Sequence, residues 1–248
     1  MDDARLLRYS RQILLPEIDV AGQTRLAEAS VAIVGLGGLG SAAALYLAAA
    51  GCGHLRLCDD DRVDPSNLQR QILHGEADLG RRKTDAARDR IHALDSGLRI
   101  DCVTGRVDAE RMDPVLAGID LVIDASDNLA TRYALNRGCL DARIPWVSAA
   151  ALRFDGQLTA FDPRRAESPC YRCLWPTGTE DEERCAESGV IAPLVGIMGT
   201  LEALEGIKLL TGVGTPLVGR VLTFDGRSTD FQSFRLQRRA ACADCGRP

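Results

Sequence analysis

"VAIVGLGGLGSAAALYLAAAG" (residues 31–51) decides the fold. A short apolar run rich in Val and Ile meets the glycines Gly35, Gly37, Gly38 and Gly40, and an Ala/Leu stretch of helical length follows. Strand, glycine turn and helix in that order open a nucleotide-binding βαβ unit. The glycines let the chain turn tightly and let backbone N–H groups approach phosphate oxygens at a helix N-terminus. The next apolar run, "HLRLCD" (54–59), ends in a row of acids; Asp59, 24 positions after Gly35, is suited to hold a ribose hydroxyl.

Working outward, "RRKTDAARDRIHAL" (81–94) predicts a helix and "RIDCVTG" (99–105) a strand. "IDLVIDASD" (119–127) is an apolar strand ending in acids, "NLATRYALNRGCLDAR" (128–143) a helix and "PWVSAA" (145–150) a further strand. This alternation predicts an α/β fold, a Rossmann-like, doubly wound and mostly parallel sheet with ligands beyond the carboxyl ends of its strands. The second half changes character. "FDGQLTAFD" (154–162) and "GRVLTFDGRSTDFQSFRLQ" (219–237) predict antiparallel strands, the latter a hairpin turning near Asp225-Gly226. Between them, 192–210 predicts one helix stopped by Gly212, and 175–189 a long polar, acidic loop. No repeat or low-complexity linker divides the 248 residues, so 1–248 is expected to be one domain, with a nucleotide-binding half over about 1–150 and a second half over about 151–248.

A net charge of −5 leaves no basic excess for nucleic acid or a membrane surface. The longest apolar runs fall short of the roughly 20 residues that span a bilayer. The charged N-terminus "MDDARLLRYSRQ" does not resemble a secretory signal, and a cytoplasmic protein is expected. Nine cysteines are then thiols, ligands or catalysts rather than disulfides. Cys52, Cys58, Cys102 and Cys139 sit in apolar surroundings and are expected to pack as small hydrophobes. Cys170 and Cys173, with Cys242 and Cys245, form two C-x-x-C pairs, the four thiolates of a closed tetrahedral zinc site that would tie the C-terminus to the middle of the chain. Cys185 stands alone in the polar loop.

The stretch "RVDPSNLQRQILH" (62–74) followed by "GRRKTDAARDR" (80–90) bears on which nucleotide binds. A dinucleotide pyrophosphate at a helix end needs few cations, whereas a triphosphate needs positioned Arg or Lys residues. Arg70, Lys83 and Arg11 are candidates, with Asn67 as an uncharged donor. Composition alone leaves these cations equally readable as solvated surface charge, and a nicotinamide-dependent dehydrogenase as the rival.

"RYSRQILL" (8–15), "GLGGLG", "DDDRVDPSNLQRQ", "DASDN" (124–128), "PCYRCLWP" (169–176), "RCAESGVIAPLVGIMGTLEALEGIKLL" and "CADC" resemble the ThiF/MoeB/HesA family, bacterial relatives of the ubiquitin-activating enzymes. The motifs run in order over nearly the whole chain, with details closer to the thiamine-pathway branch than to the molybdopterin one. The resemblance implies ATP-dependent adenylylation of the C-terminal glycine of a ubiquitin-like sulfur carrier ending in Gly-Gly, ahead of thiocarboxylate formation with a cysteine desulfurase or other sulfur donor. It also implies that the second half holds the carrier and the zinc. By matching position, Gly37, Gly38, Gly40, Asp59, Asp61, Ser66 and Asn128 contact the nucleotide, and Asn67, Arg70 and Lys83 bind its phosphates. Asp127 holds Mg²⁺, with Asp124 the weaker candidate, better read as a strand end. Arg11 matches an arginine that reaches the phosphates from a partner subunit, which implies a homodimer. Cys185 falls on a cysteine that some members use covalently and others do not need, so nucleophile and spare thiol both stay open. A binding scaffold without catalysis, and a peptide or natural-product carrier, are the other readings.

Overall fold

The computed structural model describes residues 2–177 and 189–246. Three short helices lead in: α1 (Asp3–Arg8), α2 (Ser10–Ile13) and α3 (Asp19–Glu28). They went unread in the sequence because they are short and show no continuous buried apolar stripe: Leu7 of α1 and Val20 of α3 are exposed, and Leu26 is the buried apolar residue of α3. Then come β1 (Ser30–Val34), α4 (Gly38–Ala49), β2 (His54–Asp59), α5 (Lys83–Leu94), β3 (Arg99–Thr104), α6 (Met112–Leu116), β4 (Leu121–Asp124), α7 (Leu129–Ala142) and β5 (Trp146–Leu152). The chain continues through β6 (Asp155–Phe161), α8 (Tyr171–Leu174), α9 (Ala192–Thr211), β7 (Arg220–Asp225) and β8 (Asp230–Arg235).

One eight-stranded sheet, ordered β3-β2-β1-β4-β5-β6-β7-β8, runs through both halves of the chain. Strands β3 to β5 in that row are parallel, and β6, β7 and β8 are antiparallel. Strand-side alternation assigns the two cores. Val31, Ile33, Leu55, Leu57, Leu121 and Ile123 face α4, α5 and α9, while Ala32, Val34, Cys58, Val122 and Trp146 face α6, α7 and α8. The order reverses between β1 and β4. A crevice therefore opens beyond their carboxyl ends, where α/β proteins bind ligands.

Helix α9 sits unusually close to α4. A Cβ on Gly199 would lie 2.2 Å from the Leu39 carbonyl, and one on Gly38 would lie 2.6 Å from Val195. Gly212 ends α9 in the left-handed region at φ +78°, as its position predicts. Cys52, Cys58 and Cys139 are buried, and Cys102 is half-buried. Burial pushes the Cys52 and Cys58 thiols up to about 12, which leaves them protonated and inert at neutral pH. Among the described residues no helix is long and apolar enough to cross a membrane.

Candidate active site

The glycine turn leaves β1 with Gly35 at φ +90°, where any Cβ would sit 2.6 Å from the Ala125 carbonyl. A Cβ on Gly40 would fall 1.9 Å from the Gly35 carbonyl. These two glycines make the turn possible and lock it against the end of β4. Gly37, at the N-terminus of α4, is the open one: a Cβ there would meet only Gln71 Nε2 at 3.7 Å. Its backbone is thus approachable by a phosphate, whereas Gly38 and Gly40 serve packing.

Asp59 ends β2 beside this turn. Its Oδ2 accepts the Leu36 amide at 2.7 Å and its Oδ1 the Asp61 amide at 2.8 Å. Burial raises its carboxyl above the usual range, while Lys83 and the two amides pull it back. Lys83, the first residue of α5, is buried, and its ammonium meets the exposed Asp61 carboxylate at 2.8 Å. A 3₁₀ turn, Pro65–Asn67, is capped by Asp64, which accepts the Ser66 amide and hydroxyl at 2.9 and 2.6 Å. Asn67 and Arg70 lie half-buried on this turn, Arg70 Nη1 resting 3.1 Å from the Ser66 carbonyl. Arg70 also borders a cavity of about 280 Å³ with Gly38, Ile72 and the first turn of α9 (Ala192, Pro193, Gly196). The guanidinium, the ammonium and the open Gly37 amide therefore gather at one edge of the sheet.

Across the crevice, β4 delivers Asp124 and Asp127 to different places. Asp124 is fully buried and accepts hydrogen bonds from the Ser126 and Ser148 hydroxyls at 2.5 and 2.7 Å, so it terminates the strand. Asp127 is exposed, and among the described residues its Oδ1 accepts one long hydrogen bond, from Asn128 Nδ2 at 3.5 Å. The Asn128 Oδ1 caps α7 through the Thr131 amide. A hard carboxylate at the crevice mouth, held by a single long hydrogen bond, suits Mg²⁺, which takes one or two carboxylates and keeps several waters.

Arg11 lies elsewhere. Its neighbour Gln12 donates to the Ala50 carbonyl at 2.9 Å, and Tyr9 packs on Gly51, at the far end of α4. Arg8 meets Asp95 at the far end of α5. Helix α4 has 12 residues, so about 18 Å of helix separates this end from the glycine turn. Exposed Arg11 is therefore remote from its own chain's Asp59 and Lys83.

Cys170 and Cys173, at the start of and within α8, converge with Cys242 and Cys245 of the C-terminal segment. Sγ–Sγ separations are 3.9 Å for Cys170–Cys173, 3.6 Å for Cys170–Cys242 and 3.4 Å for Cys173–Cys245, and all four Sγ atoms lie within 4.8 Å of one another. A tetrahedron with Zn–S of about 2.3 Å has edges of about 3.8 Å, so the thiols fit the ion. Cys185 lies outside the described residues.

Sequence reasoning missed the polar cluster under the Asp127 turn. Arg132, half-buried on the first turn of α7, and Glu202, buried on α9, lie beside Asp124. Glu202 did leave a signal: it occupies the same helical stripe as Val195, Met198, Gly199 and Gly206, where an apolar residue is expected.

Residues 9–245 match the model of the ThiF family. The chain is 46% identical over 246 residues to the sulfur carrier protein ThiS adenylyltransferase of Escherichia coli strain K12, covering 99% of this chain and 97% of that protein. It is 45% identical over 246 residues to the molybdopterin-synthase adenylyltransferase of Salmonella typhimurium strain LT2, covering 99% and 98%. A crystal structure of E. coli MccB with MccA-N7isoASN shares the fold at a TM-score of 0.87 and 23% identity, covering 99% of this chain and 76% of that one. This chain belongs to the ThiF family.

Proposed function

We propose that this chain uses ATP to adenylylate the C-terminal glycine carboxylate of a ubiquitin-like sulfur carrier ending in Gly-Gly, forming acyl-AMP and releasing pyrophosphate. What supports the reading is that Asp59 at the end of β2, Lys83 at the start of α5 and Asp127 just after β4 stand at the carboxyl ends of the parallel strands, beside the open Gly37 turn and the Arg70 cavity, in a chain of this family. The attacking carboxylate is ionised above about pH 3.5, so no general base is required. The obstacle is repulsion between two anions, and the residues present answer it. Asp59 takes the ribose. The Gly37 amide, Asn67, Arg70 and Lys83 draw charge from the phosphates and align the α-phosphorus. Asp61 holds the Lys83 ammonium at the crevice until phosphate competes for it. Asp127 would hold Mg²⁺, which supplies further charge neutralisation when bound.

The carrier has a surface to approach on. A cavity of about 420 Å³ lies on β5 to β8, lined by Ala150, Leu152, Gln157, Thr223 and Phe224 among others. Ala150 and Leu152 lie at the end of β5 that shares an edge with Asp127, because β4 and β5 are parallel. An extended tail crossing that edge would reach the nucleotide. Arg11, remote from its own crevice, can contact phosphate only across a homodimer, and we infer that each site takes it from the partner. The four-cysteine cluster would hold a structural Zn²⁺ with no open ligand position. Transfer of sulfur from a desulfurase or similar donor follows adenylylation, the sulfur nucleophile displacing AMP from the acyl-AMP; Cys185 stays open as nucleophile or spare thiol in that step. A nicotinamide cofactor would give no use to Lys83, Arg70 or the cysteine cluster. ATP–pyrophosphate exchange, measured separately with a thiamine-pathway and a molybdopterin-pathway carrier, tests the reading. Exchange that depends on the carrier's terminal glycine is expected, and exchange with neither carrier overturns it.

A further inference from the structure

Asp127 is exposed and barely held by its own side chain, so its position depends on the backbone of the turn from Ala125 to Asn128. That turn is fastened from beneath by buried charge. The Ser126 amide and hydroxyl both donate to Asp124 Oδ1, at 3.2 and 2.5 Å. Arg132 Nη2 donates to the Ser126 carbonyl at 2.7 Å and to the Ala149 carbonyl on β5 at 3.0 Å. Its Nη1 reaches the Tyr171 hydroxyl at 3.4 Å, and its Nε lies 3.8 Å from Asp124 Oδ2. The Asp124 side chain is 0% exposed and that of Arg132 12%. Burial works against the Arg132 charge, but the Asp124 carboxylate, with the Tyr171 hydroxyl beside it, holds it protonated.

Burying an ion pair brings little net stability, because desolvation offsets the Coulomb attraction. What this pair achieves is geometric. The amide, hydroxyl and carbonyl of Ser126, the residue immediately before Asp127, are all bonded to it, and the guanidinium fork spans the turn and β5 at once. A lysine would keep the charge but place one ammonium where a planar fork is needed.

We propose that Arg132 is a positioning residue that fixes, through the Ser126 carbonyl, the place at which Asp127 meets the metal accompanying ATP. The proposal rests on the reading that Asp127 takes that metal. Titration calorimetry of the full-length protein measures ATP affinity in Mg²⁺ and in EDTA; the ratio of the two affinities reports the metal contact without turnover. Arg132→Lys is expected to keep wild-type affinity in EDTA and to lose about tenfold of the Mg²⁺-linked gain, with a melting temperature close to wild type. Ser126→Ala, which removes only the hydroxyl donor to Asp124, is expected to lose about fivefold, the loss that one hydrogen bond of ordinary strength would give, and it reads the same coupling should Arg132→Lys not fold. An unchanged Mg²⁺ gain in a folded variant overturns the proposal, as does equal loss of affinity in EDTA and Mg²⁺, which would mean general collapse of the site. Asp127→Asn separates the two readings. If it keeps the full Mg²⁺ gain, the metal assignment itself fails; if it alone loses the gain, only the role of Arg132 fails.

Discussion

Lys83 Nζ lies 2.8 Å from Asp61 Oδ2 in a pair of unequal burial, the lysine side chain 6% exposed and the aspartate 66%. A partner so open to water contributes little to stability and gives way to a phosphate oxygen at small cost. Lys83→Met keeps the buried stem and removes the charge. It is expected to lower carrier-dependent pyrophosphate exchange by about 100-fold or more, with the melting temperature nearly unchanged. Exchange within a few-fold of wild type would leave the ammonium without a part in the chemistry.

Asp127→Ala removes an exposed side chain that supports no other element, so the effect on stability is expected to stay within about 0.5 kcal/mol. Mg²⁺-dependent exchange is expected to vanish. Steady-state assays over a Mg²⁺ series check this, and an unaltered Mg²⁺ response would refute the metal role.

The parallel half of the fold was legible because β1 and β4 are almost wholly buried and the strands are punctuated by glycines and acids, the edge strand β3 being the more exposed exception. The strand predicted at 54–59 and that observed, His54–Asp59, coincide. The position of Asp59 at the end of a strand was legible for the same reason, whereas Lys83 and Asp127 were picked out by the family resemblance, and the structure places them at the start of α5 and just after β4. The resemblance already ranked Asp127 above Asp124, and what the structure adds is burial: Asp124 is enclosed and Asp127 exposed, a difference that three residues of sequence separation cannot reveal. Arg132 and Glu202 were hidden because their partners come from other elements, Ser126, Ala149 and Asp124, so no local spacing betrays them. The distance of Arg11 from its own crevice needed the full course of α4, whose far end is the surface Gln12 binds.

Cys173→Ser replaces one of four clustered thiols by a hydroxyl that is a poor zinc ligand. Metal analysis is expected to find less than about a tenth of the wild-type zinc. The melting temperature is expected to fall, by about 2–4 °C for each kcal/mol lost in a chain of this size. A zinc-free variant as stable and active as wild type would remove the structural role.

Arg11→Ala and Lys83→Met, each inactive alone, offer a test of the composite site. In a heterodimer of the two, the Arg11→Ala chain keeps its own Lys83 and receives Arg11 from its partner. Random reassortment of an equal mixture gives half heterodimers with one sound site each, so exchange is expected to recover to about a quarter of wild type. No recovery, with heterodimers confirmed by mass, would mean that Arg11 does not act across the dimer.

Glu202 is wholly buried on α9, and neither carboxylate oxygen has a hydrogen-bond partner in good geometry among the described residues. Burial first, then the Asp124 charge, push its carboxyl well above the usual 4.5, with Arg132 and the Ala149 backbone pulling the other way. A raised folded pKa means that the native state keeps a proton which the unfolded chain releases. The associated stability is present in full below about pH 4.5 and is lost as pH rises toward the folded pKa, at about 1.4 kcal/mol per pH unit. Glu202→Gln keeps the shape and has no such proton. Thermal melts from about pH 5 to about pH 8 are therefore expected to show wild type losing stability relative to Glu202→Gln as pH rises. Parallel profiles would mean that Glu202 is ionised in the folded protein, and that the Arg132 guanidinium is shared between two carboxylates.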